Sequence, residues 1–155
     1  MPEALPTKFR RSRRLVLGGL VVAAVLIVAY WVLWWSDRGL VASRTTSAYY
    51  SFEDGFALAD GWLLTTVIAA AVQLWRRRAS ALLWVIAAGG AGLYLLAMDM
   101  LYDLEHGIYA SDTAGVVELL IDVLVAGASV SVLWWSWRNR RLLIDPACGV
   151  EPTRD

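Results

Sequence analysis

Residues Ala88–Gly107 read AGGAGLYLLAMDMLYDLEHG, a hydrophobic helix with carboxylates inside its apolar length. Each helical residue turns by about 100°, so Asp99, Tyr102, Asp103 and His106 share one stripe, which Gly92 and Ala88 continue as small residues. The stripe is expected to face protein. A charge near the centre of a bilayer costs roughly 2.5 to 3.5 kcal/mol on insertion scales, so an intramembrane Asp marks a functional site by default.

The rest of the chain fits a membrane setting. Of 155 residues, 59% are hydrophobic and nine are Trp, and the mean hydropathy is +0.54, a profile far from that of a soluble domain. One membrane domain accounts for the length. Cys148 is the single cysteine, which excludes an intrachain disulfide, a cysteine-based metal site and a CxxC redox centre.

Residues 1–14 carry two prolines and five basic residues before any apolar run and are expected to form a disordered cytoplasmic arm. Leu15–Trp35 then runs 21 residues without a charge, enough to cross a hydrocarbon layer of about 30 Å. Ser12-Arg13-Arg14 before Leu-Val-Leu has the look of a twin-arginine export signal. However, the apolar run exceeds a signal core of about 7 to 15 residues, and it ends in Tyr30, Trp31, Trp34 and Trp35, a cluster suited to an interfacial anchor. Ser36–Gly55 reads as a polar outer connection, docked at the headgroups or folded back as a lid through Phe52-Glu53-Asp54. The second span is expected over Phe56–Trp75, the third over Ser80–His106 with Gly107 as its C-cap, and the fourth over Gly115–Trp137. Residues 138–155 form a polar tail.

Basic residues are segregated along this pattern: five precede the first span, three (Arg76, Arg77, Arg78) join the second to the third, and four follow the last, so 12 of the 14 fall on one side. Positive residues flanking spans stay in the cytoplasm. The sequence therefore predicts an all-α polytopic protein of the cell membrane, an antiparallel bundle of four transmembrane helices with both termini cytoplasmic. Gly18, Gly19, Ala69 to Ala71, Gly89 to Gly92 and Gly127 are small enough for close helix approach.

In this topology Asp60, Asp99, Asp103, Glu118 and Asp122 all fall in the outer half, from three helices, and are expected to converge on an outward-opening acidic pocket, with Tyr102 and His106 of the same stripe counted as ligand-binding. The spans bring no Lys or Arg to this half as a counter-ion. Crowding and burial both favour the protonated form of a carboxyl, the chemistry of a proton donor or of a site that receives a cation. Four acids could suit a hard metal, but no spacing is specific to one, and neither metal nor cofactor is assigned. Nucleophilic triads, phosphate loops and nucleic-acid patches are absent from the sequence. The basic runs read as anchors that favour anionic lipids at the cytoplasmic face.

Four spans with both ends inside and acids such as Asp60, Asp99 and Asp122 below the outer loops resemble the EXPERA group, which includes the emopamil-binding sterol isomerases, and also small bacterial four-helix membrane proteins. The resemblance implies a membrane pocket whose acids bind amines or sterol-like ligands, or protonate a double bond. The chain departs from that group in having no acid on its first span and its one His, His106, at a helix end.

Three functions are therefore expected of the pocket. Ranked first is a binding module in which Asp60, Asp99, Tyr102, Asp103, His106, Glu118 and Asp122 receive a cation or a small cationic or hydrophobic ligand. The alternative is a lipid or isoprenoid isomerase or cyclase with protonated Asp99 or Asp122 as catalytic acid, and Tyr94, Tyr102 and Trp62 facing a carbocation. The third is an accessory subunit, or one copy of a homo-oligomer, whose acids lie at a partner interface.

Overall fold

The computed structural model describes residues 6–42, 44–110 and 113–144. They form five helices, α1 (Thr7–Ser36), α2 (Ser47–Trp75), α3 (Ala81–Glu105), α4 (Thr113–Arg138) and the short α5 (Arg140–Ile144), with single 3-10 turns at Arg38–Leu40 and Ile108–Ala110 and no strand among the described residues. Helices α1 to α4 are each long and apolar enough to cross a membrane. Their outward faces are bare of polar cover, as at Val21, Val22, Val25 and Leu26 of α1 and at Leu120, Val123 and Leu124 of α4. Apolar surface of that extent suits lipid rather than water.

The stripe read from Ala88–Gly107 is the buried face of α3, on which Ala81, Val85, Ala88, Gly92, Leu96 and Asp103 follow one another at helical spacing. α3 is the hub: it packs on α2 and α4, while α1 packs on α2. A third (33%) of the apolar window of α3 is buried, against 6% for α1.

Two cores follow. At the end that carries the arginine runs, Phe9, Leu20, Val67, Ala70, Leu74, Val85 and Leu143 pack together, and Phe9 stacks on Trp135 with ring centroids 6.1 Å apart. At the acidic end Trp34, Tyr49 and Ile108 form the second core. Two buried hydroxyls are satisfied within their own helices: Thr66 donates to the Leu63 carbonyl and Ser136 to that of Leu133, both at 2.8 Å, so neither leaves a donor bare to lipid.

The glycines sort by what faces them. A Cβ on Gly89 would meet Leu133 at 2.6 Å, one on Gly92 would meet Ser129 Oγ at 2.6 Å, and one on Gly115 would overlap the Ile108 carbonyl oxygen at 2.0 Å. Gly18, Gly19, Gly90 and Gly127 have nothing within 4 Å, which corrects the expectation that these four mark close contacts. Gly107 has φ +62°, the left-handed residue that ends α3. Arg77 takes the same conformation, φ 55°, after α2: Arg78 N donates to the Gln73 carbonyl and Arg77 N to that of Leu74, a Schellman closure with arginine in the usual glycine place.

Three boundaries differ from expectation. α1 begins at Thr7, so residues 7–14 of the expected disordered arm are helical, because Phe9 is buried and Arg13 donates to the Leu74 carbonyl at 2.8 Å. α2 begins at Ser47 rather than Phe56. The Thr46 hydroxyl caps it by accepting from Tyr49 N at 3.3 Å, and the burial of Tyr49 and Glu53 makes this stretch structural rather than a loop or lid. Arg140–Ile144 of the expected tail is helical with Leu143 buried. Residues 1–5 of the arm and 145–155 of the tail lie outside the described residues.

Candidate functional site

The acidic end is built from α1 outward. Tyr30, Trp31 and Trp34 occupy a single stretch of α1, and each donates to a carboxylate of α2: Tyr30 Oη to Glu53 Oε2 at 2.9 Å, Trp31 Nε1 to Asp60 Oδ2 at 3.0 Å and Trp34 Nε1 to Asp54 Oδ1 at 2.9 Å. This ladder turns aromatic residues expected to be membrane anchors into hydrogen-bond donors for acids, and Trp34 is fully buried. Asp54 also pairs with Arg38 at 3.2 Å, whose guanidinium lies over the Trp34, Trp35 and Tyr50 rings at 5.2, 5.5 and 5.5 Å. The outer loop thus supplies to Asp54 a counter-ion that the spans lack.

Beyond the ladder, Glu53 of α2, Asp99 and Asp103 of α3, and Glu118 and Asp122 of α4 lie toward the same end of the bundle, with Glu53, Asp103 and Asp122 buried. Asp99 and Asp103 stand one turn apart on α3, and Glu118 and Asp122 one turn apart on the neighbouring α4. Asp103 is 2% exposed, and its Oδ2 has no hydrogen-bond partner. Tyr109, on the 3-10 turn above α4, donates its hydroxyl to Asp122 Oδ2. Burial, then that hydrogen bond and the neighbouring carboxylates, push the ionisation of the Tyr109 phenol well above the ordinary tyrosine value, so it remains a donor.

Of the residues expected to converge, Asp99, Asp103, Glu118 and Asp122 lie at the same end of the bundle on the adjacent helices α3 and α4. Asp60 turns instead to Trp31 and lines a groove of about 610 Å³ between α1 and α2. Tyr102 and His106 stand in a stack with Phe52, centroids 3.7 Å for Phe52–Tyr102 and 4.0 Å for Tyr102–His106, and His106 Nδ1 lies 2.8 Å from the Tyr102 carbonyl. Tyr94 and Trp62 are exposed on the apolar surface and cannot face a carbocation inside. Trp84 packs against the core of the basic end, away from the acids.

Sequence reasoning missed Glu53 as an acid of this end, and Tyr30 and Tyr109 as donors. Glu53 precedes Asp60 by seven residues, two helical turns, so extending α2 backward at the period of 3.6 would have placed it. Tyr109 carried no local signal, because its role depends on the turn that folds it over α4.

Among the described residues no three His, Cys, Asp or Glu side chains are grouped so that they could hold a metal ion. Comparison of the chain with protein-family models, curated proteins and solved structures gives no match.

Proposed function

We propose that the chain is a multi-pass protein of the cell membrane, an antiparallel four-helix bundle with both termini cytoplasmic, whose acidic pocket binds a small cation or cationic ligand. The pairings of Gly89 with Leu133, Gly92 with Ser129 and Phe9 with Trp135 support the antiparallel arrangement. The 12 to 2 division of basic residues supports the orientation.

The observation that carries the binding reading is Asp103: a carboxyl 2% exposed, with one oxygen unpartnered, at the end of the bundle that also carries Glu53, Asp99, Glu118 and Asp122. Buried, unpaired carboxyls destabilise a fold, and an arriving positive charge relieves both their desolvation and their mutual repulsion. The exposure of Tyr94 and Trp62 removes two of the three rings that the isomerase reading needs, so binding ranks ahead of catalysis.

Thermal unfolding of the purified protein against alkylammonium and inorganic chlorides at matched ionic strength tests this. A bound cation raises the midpoint by mass action, and Asp99→Asn and Asp122→Asn weaken the effect. Unchanged affinity in both variants removes the proposal. Solvent deuterium entering a membrane lipid only when both carboxyls are present would replace it with the isomerase. Stable co-purification with a larger membrane complex, without a ligand effect, would replace it with the accessory subunit.

A further inference from the structure

The opposite end of the bundle holds the reverse imbalance. Arg13 of α1 is half-buried and spends one N–H on the Leu74 carbonyl in the last turn of α2, at 2.8 Å. The same Leu74 carbonyl accepts from Arg77 N of the α2–α3 turn at 3.2 Å, which sets Arg77 beside Arg13, and Arg10 and Arg14 flank Arg13 within one turn of α1. Among the described residues no Asp or Glu lies at this end, since all belong to the acidic half or its loops. A guanidinium offers five donors in a planar fork matched to phosphate oxygens, so most of the donors of Arg13 remain for a ligand. The position is also informative: Leu15 opens the apolar run directly after Arg14, and Arg76 follows Trp75, which closes α2. These arginines therefore stand at the edge of the apolar belt, the level of headgroup phosphates in a bilayer.

We propose that Arg10, Arg13, Arg14 and Arg77 form a specific seat for the phosphate of an anionic lipid, bridging α1 to the α2–α3 turn. This rests on the membrane reading above and is independent of the acidic pocket. The lipid supplies the negative charge that the arginines lack, and it ties the start of α1 to the turn that Arg13 already reaches.

The test uses the full chain in nanodiscs of phosphatidylcholine alone or with a minority of phosphatidylglycerol, and reads the lipid retained on release into the gas phase by native mass spectrometry. Assembly into the phosphatidylcholine discs checks the membrane reading separately. Wild type is expected to retain phosphatidylglycerol preferentially, and Arg13→Gln and Arg77→Gln each to reduce that preference about fivefold, the contribution of one basic residue near an anionic surface. Arg13→Lys, which keeps the charge, should retain part of it. Arg138→Gln is the control, because Arg138 lies over the Trp134 ring at 5.3 Å and is not one of the four arginines of the seat; it should leave the preference intact. Equal losses in Arg138→Gln and Arg13→Gln, or no preference in wild type, would overturn the proposal. Equal stabilisation by inorganic phosphate in lipid-free detergent would assign the seat to a soluble anion and overturn the lipid.

Discussion

Gly92 stands beneath Ser129: a Cβ added to the glycine would come within 2.6 Å of the serine Oγ. The contact lets α3 and α4 approach closely about two turns below Asp99 and Asp122.

The obstructions at the three tight glycines differ in kind, and alanine substitutions should rank accordingly. Gly115→Ala meets backbone at 2.0 Å and Gly89→Ala a branched side chain at 2.6 Å, whereas Gly92→Ala meets a serine hydroxyl that can rotate. Overpacking costs about 1–3 kcal/mol; the expected order of destabilisation is Gly115, Gly89, Gly92. Gly90→Ala and Gly127→Ala, with open space, should stabilise by about 0.5–1 kcal/mol through helix propensity. Thermal unfolding in one detergent measures the series, and a loss of stability at Gly127 as large as that at Gly115 would contradict the packing described.

The aromatic-to-acid ladder makes a separable expectation. Tyr30→Phe leaves the buried Glu53 without its α1 donor and should cost about 1–3 kcal/mol, while Trp31→Phe, at the half-exposed Asp60, should cost less. Replacing donor and acid together, as in Tyr30→Phe with Glu53→Leu, should recover part of the loss once Tyr49, the second donor to Glu53, is also changed to Phe, because no bare oxygen then remains. A triple variant no better than Tyr30→Phe alone would show that packing, and not the hydrogen bond, joins α1 to α2.

Tyr109 gives the pH dependence its sign. Its phenol is harder to ionise in the folded chain than the tyrosine value of about 10 expected when unfolded, so the folded state keeps a proton that the unfolded state releases. Its contribution is complete below about pH 10 and falls as pH rises above it. Alkaline destabilisation should begin there and be smaller in Tyr109→Phe; identical alkaline limbs would refute the assignment.

Much of this was legible in the residues before any coordinates. The period of 3.6 across Ala88–Gly107 yields the buried positions Ala88, Gly92 and Asp103 of α3, since one stripe of a helix has one set of neighbours, while His106 at the end of that stripe is exposed. What could not be read was pairing across helices. Asp60 has the same local pattern as Asp99, and its departure to Trp31 depends on how α1 is rotated against α2. The start of α2 was hidden because polarity over Ser47–Gly55 looks like a loop unless Trp34 is known to cover it. Arg38 likewise reads as a loop charge until the fold puts Asp54 beside it.

The ladder also bears on how the protein is made. Its donors all lie on α1 and its acceptors on α2, and the ribosome delivers α1 first. When Glu53, Asp54 and Asp60 reach the bilayer, the indoles and phenol that accept their company are already in it. The α1–α2 hairpin is therefore the smallest piece of the chain that can enter lipid with these three acids solvated by protein, and a chain begun at α2 would meet an insertion barrier that the whole protein does not.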